Sequence, residues 1–317
     1  MVDLKDKKAI VIGALGQDGQ IISLKLIEKG LSVIGVAKSN DIHRQKIEGV
    51  DYKFIDLSKS DSSFEFLSKI NPDYIFHFGA KNANSKNMTS MEDKEPESII
   101  ESTINISTNL FDWQLGNIKT KILVGLSAFM YSNSPRNSKI ELGVEYSPKG
   151  IYGRCNVATH QKIIEYRNLH GSDISGLILF NHTSRYSKKG FLVPDLVEKI
   201  SKLKNRESKS ITINESNKQI DISSAQNFCD GFINIIEKNF TRDFIFSSGK
   251  LVTIRNIVEE AVAAIDADLL TQINFVDQAQ TNKPIYGDVS STTKILGWSP
   301  DESIRETLVD MLDSFDD

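Results

Sequence analysis

Sulfur is scarce in this chain. Cys155 and Cys229 are its only cysteines, which disfavours both a disulfide framework and a zinc site built from thiolates. No apolar run approaches the roughly 20 residues that a membrane-spanning helix needs. Charge of one sign is lacking too: the formal net charge is −4, so there is no electrostatic case for a nucleic-acid partner. The polar start MVDLKDKK has no apolar core of the kind that directs secretion, and the expected compartment is the cytoplasm. There is no internal repeat. What remains, 317 residues at 39% hydrophobic and 25% charged, describes a soluble globular chain of one large or two modest domains.

The first twenty residues carry the strongest signal. A short apolar run, Ala9 to Ile12, opens into Gly13-Ala-Leu-Gly16-Gln17-Asp18-Gly19 and then an amphipathic segment. A strand, a glycine turn and a helix start form a grip for a dinucleotide. Gly13 permits the tight turn, Gly16 lets backbone N–H groups close on a pyrophosphate at the positive helix end, and Gly19 allows the helix to pack on its strand.

Strand-like and helix-like segments alternate through the first 180 residues: KKAIVIG, a helix from Gln17 to Lys29, SVIGVA, YKFIDL, PDYIFHFGA, a helix near Ile99–Leu115, TKILVGLS, a helix near Tyr152–Leu169, and ISGLILF. That order predicts an α/β fold with a Rossmann-like, doubly wound parallel sheet. Beyond Asn181 the rhythm loosens into a smaller C-terminal α/β substrate lid, with a helix over VPDLVEKISKLK and a strand SITIN. The expected division is a dinucleotide-binding domain over 1–180, to which 216–249 returns through FIFSSG, and a mainly substrate-binding domain over 181–317. The polar stretch from Lys81 to Glu97 is long for a strand-to-helix link, a length usual in lids or disordered segments.

With GALGQDG, Asp56-Leu57, Ser127 on LVGLS, Tyr152, Leu179-Phe180-Asn181-His182, and Gly287-Asp288 before KILGWSP, the chain resembles a known family nearly end to end. It resembles the extended short-chain dehydrogenase/reductases that modify nucleotide sugars and, among them, the GDP-mannose 4,6-dehydratases. The resemblance implies a nicotinamide dinucleotide, a nucleotide-sugar substrate of GDP-hexose type, and a homodimer or higher homo-oligomer. It implies that Asp56 bonds the adenine amino group, that Leu57 packs beside the ring, and that Asn105 braces the backbone near the site. Gly79, Ala80 and Lys81, at the end of the fourth strand, fall where such folds place cofactor and substrate.

The second strand ends Ala37-Lys38-Ser39, with no carboxylate to bond the adenosine ribose. Lys38 with Ser39, and Arg44 as a second cation, suit a 2′-phosphate, which favours NADP over NAD; the plain alternative is a solvated lysine on a loop.

The catalytic landmarks depart from the family. Ser127 and Tyr152 match the residues that orient the sugar hydroxyl and move its proton, but the lysine expected one helical turn after the tyrosine is Asn156. Its amide can bond the nicotinamide ribose and supplies no charge, so the phenol should titrate nearer its reference of ~10, which hurts oxidation more than reduction. Phe129 stands where the dehydratases carry the glutamate of elimination. Ile220-Asp221 replaces an Arg-Asp pair, and Lys283-Pro284 an Arg-Pro pair. Lys81 is a candidate to replace the missing lysine, against the plainer reading of a solvated loop residue. On the substrate side stand Asn181, Arg185 and Lys283. Ser184, Arg185, Lys188 and Lys189 read as a phosphate clamp or as a solvated loop. His182 reads as a bonded pocket wall, and His77 and His160 as structural. No metal is expected. The readings in order are an NADP-dependent nucleotide-sugar oxidoreductase or epimerase, a 4,6-dehydratase with a remodelled site, and a catalytically silent cofactor-binding protein.

Overall fold

The computed structural model of the chain describes residues 1–38, 46–79, 97–135, 137–279 and 284–314. Its first half runs β1 (Lys8–Ile12), α1 (Gln17–Glu28), β2 (Ser32–Ala37), β3 (Val50–Phe54), α2 (Ser60–Ile70), β4 (Tyr74–His77), α3 (Glu97–Leu115), β5 (Lys121–Ser127), β6 (Ser138–Ile140), α4 (Gly150–His170) and β7 (Ile174–Leu179). The second half continues with β8 (Asn181–Thr183), α5 (Leu192–Lys204), β9 (Ile211–Asn214), β10 (Gln219–Ile220), β11 (Ile222–Ser224), α6 (Ala225–Lys238), β12 (Phe244–Phe246), β13 (Val252–Thr253) and α7 (Ile254–Ala263). It closes with β14 (Ile273–Val276), β15 (Ile285–Gly287), α8 (Ser290–Leu296) and α9 (Arg305–Asp313).

Seven strands make one parallel sheet in the order β12-β7-β5-β4-β1-β2-β3. Near-continuous apolar runs such as Ala9 to Ile12 and Tyr74 to Phe76 are buried throughout, as strands covered on both faces require. On one face α1 and α6 interlock through Ile21, Ile22 and Leu26 against Phe228, Phe232 and Ile236. The other face holds Leu110, Phe111 and Trp113 of α3 and Ile163 of α4. A third cluster, from α5, α7, α9, β9 and β14, lies in the C-terminal part and includes Val197, Ile213, Val258 and Leu308. The strand FIFSSG joins the main sheet beside β7, whereas β10 pairs with β13 and β11 with β8.

Strand order reverses around β1 and β4, which opens the crevice where such sheets bind ligands. Helix α6 shows why local sequence puts elements where it does. Its apolar residues fall at helical spacing from Ala225 to Ile236, the Ser224 side chain accepts from the Asn227 N–H, and Asn239 ends it at φ 56°. Helix α4 starts at Gly150, two residues before the expected start, so Tyr152 lies in its first turn. Among the described residues no helix is long and apolar enough to cross a membrane.

Candidate active site

The glycine turn folds back tightly. Gly13 has φ +83°, and its N–H donates to the Val36 carbonyl at 2.9 Å, joining the end of β1 to that of β2. A Cβ on Gly19 would lie 2.3 Å from the Gly13 carbonyl oxygen, so α1 can lean on the turn only with glycine there. Gly16 caps α1 in extended conformation with no side-chain capping bond. First-turn N–H groups left without a side-chain cap, at a positive helix end, fit a pyrophosphate.

Residues further along the cradle are held by specific contacts. Lys38 at the end of β2 pairs with Asp56 at 3.0 Å, and Ser58 donates to the same carboxylate at 2.7 Å through its hydroxyl. The Ser58 bonds and Lys38 hold Asp56 down to about 2. Leu57 is buried, and its carbonyl accepts from Asn109 at 3.0 Å. Asn105 is exposed on the same helix, one turn before Asn109. Gly79 follows β4 and its N–H donates to His77 Nδ1 at 3.3 Å. Ser39, Arg44, Ala80, Lys81 and Lys283 lie outside the described residues.

Ser127 ends β5, and Tyr152 and Asn156 lie one turn apart on α4. Burial pushes the Tyr152 phenol above its ordinary value; hydrogen bonding to Ser127 and Asn156 opposes this, and the charge of Asp18 adds to it. At neutral pH Tyr152 is therefore a phenol, a proton donor. The Asn156 amide donates to the Tyr152 backbone carbonyl at 2.8 Å, which draws it onto its own helix. Phe129 packs edge-on to Tyr152, with centroids 5.6 Å apart at 69°. Where the resemblance implies a carboxylate, this chain has an apolar wall against the tyrosine.

The first turn of α1 is also tied to β8. His182 Nε2 meets Asp18 Oδ1 at 2.9 Å, and His182 Nδ1 meets the Phe180 carbonyl at 2.7 Å. Gln17 reaches the same region: its amide donates to the His182 carbonyl at 3.4 Å, and its side-chain oxygen accepts from Ser184 at 3.0 Å and from Ser187. Sequence reasoning named Gln17 and Asp18 for the cofactor and His182 for a wall without seeing that they meet. Their separation of 164 residues hides the contact.

Other candidates fall at varying distance from this cluster. Asn181 is exposed and donates to the Asp221 backbone carbonyl at 2.8 Å. Arg185 pairs with Asp310 of α9 at 3.2 Å, and Lys189 with Glu198 of α5 at 3.5 Å. His77 is buried, with Nε2 3.2 Å from the Ser107 hydroxyl, and burial lowers it to about 4. His160 lies beyond Tyr152 along α4, between Tyr146 at 2.9 Å and Asp243 at 3.0 Å. Both histidines have the contacts of structural residues. Among the described residues no cluster of three metal-ligating side chains occurs.

Comparison with known proteins places this geometry. The GDP-mannose 4,6 dehydratase family model matches residues 10–311. The chain is 21% identical to GDP-mannose 4,6 dehydratase 2 of Caenorhabditis elegans, over 97% of this chain and 88% of that one. It is likewise 21% identical to a GDP-mannose 4,6-dehydratase of Vibrio cholerae, over 96% and 93%. In fold it matches a UDP-glucose 4-epimerase of Thermotoga maritima solved with UDP-glucose, with a TM-score of 0.82 at 16% identity and 98% coverage of both chains. It also matches a dTDP-glucose 4,6-dehydratase of Bacillus anthracis solved with NAD, with a TM-score of 0.79 at 11% identity, covering 98% and 96%. With the cradle, the seven-stranded sheet and a family match over nearly its whole length, the chain belongs to the GDP-mannose 4,6-dehydratase family, among the nucleotide-sugar epimerases and dehydratases of the extended short-chain dehydrogenase/reductases.

Proposed function

We propose that this chain is an NADP-dependent nucleotide-sugar oxidoreductase or epimerase that works at a hexose carbon, with Ser127, Tyr152 and Asn156 as its atypical site. The packing of Phe129 against Tyr152 carries the reading, since it leaves the place of the elimination acid and base apolar. When bound, the nicotinamide supplies or accepts the hydride. Tyr152, protonated at neutral pH, gives its proton to the oxygen of a sugar ketone as that carbon is reduced. Ser127 orients that oxygen. Asn156 fixes the backbone of Tyr152, and its amide oxygen is the part suited to the ribose. Gly13, Gly16 and the backbone N–H groups of Gln17, Asp18 and Gly19 hold the pyrophosphate end, and Asp56 and Leu57 the adenine.

NADP as the preferred cofactor, with NAD as the alternative, rests on β2 ending without a carboxylate. Lys38 is 76% exposed, so its pair with Asp56 is open to competition by a 2′-phosphate. The substrate is a sugar nucleotide, with a GDP-hexose favoured by the family, and a homodimer is the expected assembly.

Turnover of keto-sugar nucleotides with NADPH tests the proposal, together with product analysis of GDP-mannose by mass and NMR. Reduction or epimerisation with little or no 4-keto-6-deoxy product is expected. The family match over residues 10–311 favours a second reading, a dehydratase in which another acid replaces the glutamate. Robust dehydration of GDP-mannose would put that reading first. Cofactor binding with no turnover of either substrate class would leave a silent binding protein.

A further inference from the structure

The Asp18–His182 contact contains a proton count that its geometry settles. A neutral imidazole has one N–H. Here both ring nitrogens face acceptors, Nδ1 the Phe180 carbonyl at 2.7 Å and Nε2 the Asp18 carboxylate at 2.9 Å. Only the imidazolium donates to both. A neutral tautomer keeps both contacts only if Asp18 carries the proton instead, and the surroundings hold that carboxyl below its usual range. Gln17 Nε2, 3.4 Å from the same Asp18 oxygen, also favours the carboxylate form.

Both side chains are largely withdrawn from water, 13% and 19% exposed. Burial alone would lower His182, but the Asp18 charge and hydrogen bond and the Phe180 carbonyl outweigh it and raise the imidazole above its ordinary value. Burial would likewise raise Asp18, and His182 reverses that, holding the carboxyl below its usual range. Among the described residues the remaining surroundings carry little charge. From α6 come the Phe228 ring, 5.0 Å from the imidazole, and the Cys229 thiol, which burial raises. From α4 comes Tyr152, raised by burial as well. Lys25 and Asp230, which also bear on this pocket through Cys229, neutralise each other at 2.5 Å, as Arg185 and Asp310 do at 3.2 Å. His182 is therefore the cation on which Asp18 depends.

We propose that His182 is a proton-dependent positioning residue of the dinucleotide cradle: as an imidazolium it cancels Asp18 in the first turn of α1, so that an anionic pyrophosphate binds there, and its deprotonation weakens that binding. This rests on the dinucleotide reading of the cradle. Losing the proton leaves a buried carboxylate facing the helix end that would hold phosphate, and it also loosens β8 from α1.

Two measurements test it on the full chain. NMR of the 15N-labelled imidazole, with no dinucleotide added, is expected to show both His182 nitrogens protonated at pH 6.5, with a midpoint above ~6.5, the reference value. A single N–H across that range overturns the proposal. Calorimetric titration with NADPH between pH 6 and 9 is expected to give a Kd that rises by up to about tenfold per pH unit above the His182 midpoint, as one linked proton requires. His182→Gln is expected to weaken binding at pH 6 and flatten the profile. Adding Asp18→Asn to that variant is expected to recover affinity, because the uncompensated carboxylate is gone. Binding by His182→Gln that matches the wild type in strength and slope overturns the role of His182 alone. Wild-type protein that binds neither NADPH nor NADH at any pH overturns the dinucleotide reading itself, while the NMR result still stands on its own.

Discussion

Two buried aspartate–histidine contacts stand at opposite ends of the sheet, and they are wired differently. At the amino end, Asp243 before β12 accepts a two-pronged contact from Arg167, at 2.9 and 2.5 Å, together with His160 at 3.0 Å and the Gly176 N–H at 3.0 Å. At the carboxyl end, Asp18 has His182 and the Gln17 amide. A guanidinium stays charged at every pH of interest, and an imidazole does not. The first cluster keeps a permanently charged cation and fixes α4 to the sheet at any pH where Asp243 is ionised. The second, at the carboxyl end where strand order reverses, makes its charge conditional on one proton.

Removing the permanent cation should have the largest effect. Arg167→Ala takes the guanidinium from a largely buried carboxylate, and urea unfolding should show a loss of about 3 kcal/mol, the usual scale for breaking a buried pair from one side. A loss below about 1 kcal/mol would mean that water replaces the guanidinium at little cost.

Next comes the attempt to give the catalytic end what the other end already has. Tyr152→Phe should lower turnover by at least about 10²-fold, the scale of a lost proton donor. Asn156→Lys should bring an ammonium within a turn of the phenol and move the pH profile of cofactor reduction down by about one unit. Full activity in Tyr152→Phe would remove the tyrosine as proton carrier, whatever the lysine does.

The pH dependence of stability should separate the two clusters with opposite signs. Asp243 is lowered to about 2 by His160 and Arg167 against the cost of burial, so its contribution is present above ~3.8 and is lost as pH falls toward 2. His182 is raised, so its contribution is full below ~6.5 and is lost as pH rises through its folded value. Unfolding midpoints of the wild type and of His182→Gln between pH 6 and 9 should converge at the alkaline end. A constant gap would show that the histidine acts by packing alone.

The smallest effect belongs to Lys38, an exposed charge paired with Asp56. Lys38→Asp should weaken NADPH binding severalfold, about 1 kcal/mol, and leave NADH within a factor of about two. Equal weakening of both would remove the 2′-phosphate from the account of this residue.

Much of this was legible before any coordinates, because the cradle and the sheet strands are local patterns: glycine spacing, apolar runs, helical periodicity. FIFSSG was legible as a strand of the main sheet for the same reason. What stayed hidden is what depends on distant pairing. The strand SITIN is legible as β9 but its partner β14 is not, and the ladder of β6 with β15 joins two three-residue segments far apart in the chain, too brief to show a period of their own. Asn109 rather than Asn105 reaches the Leu57 carbonyl because the docking of α3 decides which of two asparagines, one turn apart, faces that backbone. Asn156 was legible as a departure, but the bond from its amide to its own helix needed the structure.

The partnership of α1 with α6 also bears on how the chain is made. Leu26 and its neighbours find their cover on Phe228 and Phe232, and Lys25 and Lys29 find Asp230 and Glu237, about 200 residues later. At bacterial or eukaryotic synthesis rates that delay is on the order of 10–40 s. During it α1 shows a bare apolar stripe and, once made, β7 has an unpaired edge until β12 follows. The nascent chain is then a natural client for chaperones, and truncation before α6 should yield aggregates rather than a free-standing nucleotide domain.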